Sequence, residues 1–137
     1  MFIKHKYDVV CATLIDNGLP LLEKICPRFP IVLIDECTQA TEPRCCIALS
    51  KASHAVVLVG DQQQLPPTCV SREAEQQGLG VSLFERIIGF GDCCPKTMLT
   101  VQHRMHPLIH RFPSDQFYDG HLVGGPSALG CVPPVIM

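Results

Sequence analysis

The sequence predicts an α/β fold organised around a parallel sheet, and three observations carry that prediction. Ile31-Val32-Leu33-Ile34 is continuously apolar and β-branched, as a strand covered on both faces would be, and it stops abruptly at Asp35-Glu36. His54-Ala55-Val56-Val57-Leu58-Val59 repeats the pattern and stops at Gly60-Asp61. Between them, Glu42-Pro43 opens a helix that runs through Ala48 and Leu49, with proline tolerated in its first turn. Strand, helix, strand in this order gives parallel pairing, and ligands of such sheets bind outside the carboxyl ends of the strands. Asp35, Glu36 and Asp61 are therefore expected at one edge.

The remaining elements follow from punctuation and periodicity. Tyr7 to Thr13 reads as a short buried strand, and Leu19 to Ile25 as a brief helix stopped before Pro27. After the second strand come a proline-rich loop at Leu65-Pro66-Pro67-Thr68, a polar helix near Arg72 to Gln77 and a helix from Ser82 to about Ile88. Gly89, Gly91 and Pro95 mark a hinge. Met98 to Val101 reads as one more strand, followed by Gln102-His103-Arg104-Met105-His106-Pro107 and a helix toward Phe117. The stretch from Gly124 to Met137, rich in proline and glycine, reads as a connection rather than a packed element.

Composition narrows the function classes. A chain of 137 residues has room for one ordinary domain, and 47% hydrophobic with 18% charged residues is globular rather than disordered. The net charge of −2 excludes recognition of nucleic acid by bulk basicity, so any such contact has to be local. Nine cysteines occur without a C-x-x-C pair and without an apolar signal core at Met1 to Lys6, which is read as reduced, intracellular thiols rather than zinc or disulfides. No apolar run approaches the roughly 18 residues that span a bilayer, so no membrane partner is expected.

The acidic pair Asp35-Glu36 has the form of a Walker B element, in which an aspartate holds magnesium and the neighbouring acid orients or deprotonates the attacking water. A solvated turn or helix cap explains the same two residues equally well. The second segment, Val59-Gly60-Asp61-Gln62-Gln63-Gln64-Leu65-Pro66-Pro67, weighs against that plainer reading, since both strands then deliver polar groups to one edge.

Leu33-Ile34-Asp35-Glu36-Cys37-Thr38-Gln39-Ala40 and Val59 to Pro67 together resemble motifs II and III of superfamily 1 helicases of the 5′-to-3′ branch. Gln102 to Pro107 resembles motif IV of the senataxin and nonsense-mediated-decay helicase group, and Ser82-Leu83-Phe84-Glu85-Arg86, Phe112-Pro113-Ser114 and Phe117-Tyr118 are similar to segments of its members. The resemblance covers roughly residues 7 to 123.

What the resemblance implies is a partial RecA-like parallel sheet with flanking helices, plus the first strand and helix of a second RecA-like lobe. Residues 1–92 would be the C-terminal part of lobe 1 with motifs Ib, II and III, residues 93–96 the hinge, and residues 97–137 the truncated start of lobe 2 with motif IV. Carried over residue by residue, Asp35 is the magnesium ligand through water, Glu36 the water-activating base, Gln64 the sensor of the terminal phosphate and Arg104 the arginine finger. Asp61 joins the nucleotide set, and His103 stands where the family has the tyrosine that stacks on the base. Thr13 resembles the motif Ib position, and with Pro66, Pro67 and Thr68 it would contact nucleic acid without reading sequence. The cofactors implied are ATP and Mg2+, the partners single-stranded RNA or DNA and the missing remainder of a helicase core, the location cytoplasm or nucleus. His106 and His110, one helical turn apart without a third ligand, read as structural.

A P-loop is absent from these residues, because none of Lys4, Lys6, Lys24, Lys51 or Lys96 follows a glycine. The 137 residues are expected to be a fragment of an ATP-dependent helicase, to bind ATP weakly by themselves, and to expose apolar sheet surface at the cost of solubility. The alternative is a non-catalytic module, derived from a helicase, that binds nucleic acid or protein.

Overall fold

The computed structural model describes residues 8–16, 20–92 and 94–130 of the chain. The chain folds as two compact units, Met1–Cys94 and Pro95–Met137.

In the first unit, helix α1 (Pro20–Ile25) precedes strand β1 (Phe29–Ile34), helix α2 (Glu42–Leu49) and strand β2 (Ala52–Leu58). β1 and β2 pair in parallel, with Ile31 opposite Ala55, Val32 opposite Val56, Leu33 opposite Val57 and Ile34 opposite Leu58. α2 is the crossover between them, and it packs on both strands. Its boundaries are local chemistry: Thr41 is the extended N-cap residue, Pro43 sits in the first turn and the Ser50 amide closes the helix by donating to Cys46 O. Lys51, 6% exposed, reaches back to Glu23 of the α1 segment at 3.4 Å, so its charge is paired where it leaves water.

The core of this unit lies between the sheet and the helices: Ile34, Cys37, Ala40, Cys45, Ala48 and Leu83 are buried, with Val32, Leu49, Leu58, Phe84 and Ile87 packed around them. Helix α3 (Arg72–Ala74), capped by Ser71, continues as a π-helical turn over Glu75–Leu79 that breaks at Gly78 (φ 100°). Helix α4 (Leu83–Gly89) starts at Ser82, whose hydroxyl accepts from Glu85 N. Arg86 of α4 and Glu42 of α2 form a two-pronged ion pair, Nε to Oε2 at 2.7 Å and Nη2 to Oε1 at 2.5 Å. That hydrogen bonding holds the Glu42 carboxyl below its usual range and raises Arg86.

Two expectations are corrected in this unit. Residues 8–13 form no strand: they run beside no paired neighbour, Val9 is 76% exposed, and an extended segment without a laddered partner has nothing to bury against; Tyr7 lies outside the described residues. β1 is covered on one face rather than two. Ile34 is 3% exposed and Val32 packs on the core, whereas Ile31 and Leu33, the alternate positions, are 63% and 61% exposed, because among the described residues helices cover only one side.

In the second unit, strand β3 (Val101–Gln102) pairs in parallel with strand β4 (Val123–Gly124), joined by helix α5 (Pro107–Phe117). The helix begins where His106 accepts the Leu108 amide on Nδ1 and Pro107 takes the first turn. Buried Ser114 accepts the Leu122 amide, which sets the return of the chain to β4. The strand expected at Met98 to Val101 is shorter and later: only Val101 and Gln102 find a partner, and Leu99 stays 82% exposed. The expected loose tail is also corrected. Residues Pro126–Gly130 form a 3-10 turn with Ala128 fully buried, held by Gly125 N donating to Gln102 O at 2.8 Å; residues 131–137 lie outside the described residues.

If only one face of β1 is covered, Ile34→Ala should cost about 2–4 kcal/mol while Leu33→Ala stays within about 0.5 kcal/mol in urea unfolding. Equal losses at the two positions would show that the second face is covered as well.

Candidate functional site

The β1–β2 ladder does not stop at the strand ends. Val59 N donates to Ile34 O at 2.9 Å and Cys37 N donates to Val59 O at 2.9 Å, so the two turns that follow the strands are held side by side. Gly60 makes this possible: a Cβ there would lie 3.0 Å from Cys37 Sγ and from Thr38 Cγ2, and 3.2 Å from the Thr38 amide nitrogen. The first turn carries Asp35 and Glu36, the second Asp61 and Gln64.

Within the first turn the backbone adopts an unusual shape. Glu36 sits at φ 50°, ψ 37°, the left-handed region, where a side chain costs roughly 1–2 kcal/mol. Asp35 Oδ1 accepts the Glu36 amide at 3.0 Å, and the next residues, Cys37–Gln39, close into a 3-10 turn. Gln39 Nε2 donates to Glu36 Oε2 at 3.1 Å. Cys37 and Thr38 are buried beneath, anchoring the turn while Asp35 and Glu36 face solvent.

The second turn is organised by one carboxylate. Asp61 Oδ1 accepts the Gln63 amide at 2.9 Å and Oδ2 accepts from Gln64 Nε2 at 2.7 Å, while the Gln64 amide donates to Asp61 O at 3.1 Å. In the loop beyond, Pro67 is buried and Pro66 and Thr68 are exposed. Thr13 is exposed, and its hydroxyl donates to Asp16 Oδ2 at 2.7 Å and accepts the Asp16 amide at 3.2 Å, a closed local turn.

His103 and Arg104 belong to the second unit. The His103 ring lies directly over Gly125, and its Nδ1 is 2.9 Å from Ser127 Oγ. Arg104 is exposed on the loop between β3 and α5, whose backbone is bonded to the Gln102 carboxamide. Among the described residues no group of three or more His, Cys, Asp or Glu side chains could hold a metal ion by itself. His106 is engaged as the α5 cap, in keeping with a structural role.

Sequence reading missed Gln39, Gly60 and Gln102. All three stood inside the quoted motifs, but nothing in residue type alone says which polar side chain bonds its own backbone or which glycine is needed for close approach.

A parallel βαβ unit with acidic and amide side chains gathered beyond the strand ends, followed by a shorter second βαβ unit, defines a partial RecA-like α/β core. The sequence matches a family described as AAA domain over residues 2–72, and a second family of the same description over residues 79–131. It is 46% identical over 123 residues to Regulator of nonsense transcripts 1 of Dictyostelium discoideum, covering 90% of this chain and 9% of that protein. It is equally 46% identical over 123 residues to the ATP-dependent helicase NAM7 of Saccharomyces cerevisiae, covering 90% of this chain and 12% of that protein. To the ATP-dependent helicase upf1 of Schizosaccharomyces pombe it is 44% identical over 117 residues, covering 85% and 12%. The chain belongs to this AAA-domain family of superfamily 1 helicases, and it spans between 9% and 12% of the length of these three relatives.

Gly60→Ala is expected to destabilise the first unit by about 1–3 kcal/mol, because the added methyl meets backbone and a buried sulfur; thermal unfolding of the variant and parent checks it, and an unchanged midpoint would contradict the close approach. Burial pushes the Cys37 thiol up to about 11, with the neighbouring Cys45 adding to the rise, and burial raises Cys45 as well. The folded state therefore keeps the Cys37 proton that the unfolded chain loses near the ordinary thiol value of 9.0, so the stability it contributes is present below that pH and is lost as pH rises toward about 11. At pH 8, iodoacetamide should alkylate exposed Cys11, Cys46 and Cys94 well before Cys37 and Cys45, read by mass spectrometry of peptides; early labelling of Cys37 would contradict its burial.

Proposed function

We propose that these residues form part of the triphosphate-hydrolysing site of an ATP-dependent helicase that moves along single-stranded RNA or DNA. The observation that carries the reading is the pair of adjoining turns beyond β1 and β2, which gathers Asp35 and Glu36 beside Asp61 and Gln64. The names of the relatives, among them ATP-dependent helicases, support it.

The roles follow from what each group can do. Asp35 is a hard oxygen donor suited to Mg2+, an ion that keeps several waters and is held by one or two carboxylates together with phosphate oxygens. Mg2+ and ATP, when bound, supply charge neutralisation at the phosphates and the bond that is cleaved. Glu36, exposed and held by Gln39, accepts a proton from the attacking water. Gln64, whose amide is aimed by Asp61, meets the terminal phosphate by exchanging that hydrogen bond for one to a phosphate oxygen. Arg104, in the second unit, offers a planar fork of donors suited to phosphate oxygens, a contribution of about 10³ to 10⁵ in rate in comparable enzymes. His103, with its ring seated on Gly125, offers an aromatic face to a base.

Pro66 and Thr68, exposed beyond the second turn, and Thr13 are the nucleic-acid contacts in this reading, through hydroxyl and backbone groups that meet phosphates without reading sequence; buried Pro67 shapes the loop that carries them. Residues 1–92 and 97–137 are assigned to two RecA-like lobes with the hinge at residues 93–96. Among the described residues no helix is long and apolar enough to cross a membrane.

In a helicase core that contains these residues together with a P-loop, Glu36→Gln should reduce nucleic-acid-stimulated turnover by about 10² to 10⁴ while leaving ATP affinity largely intact, since the shape is kept and the base removed. Equal turnover in variant and parent would remove Glu36 from the reaction.

A further inference from the structure

The loop between β3 and α5 has no regular secondary structure, yet one side chain holds its backbone at three points. Gln102, half-buried at the end of β3, accepts the Arg104 amide on Oε1 at 3.0 Å and the Met105 amide on the same oxygen at 2.8 Å, and donates from Nε2 to Met105 O at 2.8 Å. The carboxamide thus imitates a strand partner for residues 104 and 105, using both its acceptor and a donor. The main chain of Gln102 is fixed in turn, because its carbonyl accepts Gly125 N from beyond β4. A second tie acts on the residue between them: Ser127 Oγ meets His103 Nδ1 at 2.9 Å and donates to His103 O at 3.4 Å.

We propose that Gln102 is a positioning residue for Arg104, fixing the backbone that carries its guanidinium so that the side chain engages phosphate without a search over loop conformations. The proposal rests on the reading of Arg104 as a phosphate-contacting cation. A long flexible side chain delivered from a mobile loop loses ordering entropy each time it engages, and a loop fixed beforehand removes the backbone share of that cost. The polar head of Gln102 is spent on the loop's own backbone, at residues 104 and 105. Glutamine suits the task because a carboxylate at this position could accept both amides but could not donate to Met105 O.

Two measurements test the assignment. In the 137-residue chain, hydrogen exchange by NMR should show the Arg104 and Met105 amides exchanging about tenfold faster in Gln102→Ala, with the Val123 and Gly125 amides of the β3–β4 ladder unchanged. Gln102→Glu, which keeps an acceptor for both amides but loses the donor to Met105 O, should protect them more than Gln102→Ala and less than the parent. Unchanged exchange at Arg104 and Met105 in Gln102→Ala, or equal acceleration throughout the second unit, overturns the clamp whatever the activity.

In the helicase core with a P-loop, Gln102→Ala should lower kcat by about 10- to 100-fold with little change in KM, and should add nothing in an Arg104→Ala background, as expected of residues acting as a unit. If Arg104→Ala lowers kcat while Gln102→Ala turns over like the parent, the positioning role is wrong and the role of Arg104 stands. If Arg104→Ala is itself without effect, the proposed function of Arg104 fails, and this inference with it.

Discussion

Two backbone turns touch at Gly60, and the arrangement of the first unit depends on that contact. Parallel strands normally diverge into separate connections once their ladder ends, but here the ladder continues by two further bonds, Val59 N to Ile34 O and Cys37 N to Val59 O. The space left for position 60 is bounded by Cys37 Sγ, Thr38 Cγ2 and the Thr38 amide, so a Cβ there would press on its neighbours, and glycine is favoured by packing rather than by backbone angle. From this contact follows the grouping of a carboxylate pair on one turn with a carboxylate and a carboxamide on the next.

The polar side chains of the site are already committed to defined partners. Asp35 holds the amide of Glu36, Gln39 holds the carboxylate of Glu36, and Asp61 holds both the Gln63 amide and the Gln64 side chain. Gln102 does the same for the Arg104 loop in the second unit. Such a network fixes orientation before any ligand arrives, which is how polar sites avoid reorganisation when charge develops. The left-handed conformation of Glu36 is the one place where the first turn stores strain, and the buried pair Cys37 and Thr38 directly after it supplies the packing that sustains it.

The βαβ core was legible because its signals are local: apolar β-branched runs, a proline in a first helical turn, and polar residues at each strand end. The family was legible because Leu33 to Ala40, Val59 to Pro67 and Gln102 to Pro107 resemble helicase motifs residue by residue. Where reading failed, the deciding quantity was non-local. Ile31 and Leu33 have the same side chains as a strand buried on both faces, and only the placement of helices shows that one face is open. Met98 and Leu99 extend the apolar run that leads into Val101, but pairing is limited to the two residues that β4 offers. The stretch after Gly124 looked like a linker by composition, yet its glycines allow close packing: Gly125 accommodates the His103 ring and Ala128 is buried. The carboxamide of Gln102 was invisible for a related reason, since a glutamine that caps its own loop and one that faces water are the same letter.

The site of the first unit depends on the turns after β1 and β2 being joined in solution. Nuclear Overhauser spectroscopy of the 137-residue chain measures this directly, through contacts between the Gly60 α-protons and the Thr38 amide, together with slow exchange of the Cys37 and Val59 amides. The arrangement described here predicts strong cross-peaks and protection at both amides comparable to that within the β1–β2 ladder. Absent cross-peaks with fast exchange at Cys37 and Val59, alongside an intact ladder from Ile31 to Ile34, would mean that the acidic turn and the glutamine turn are separate loops.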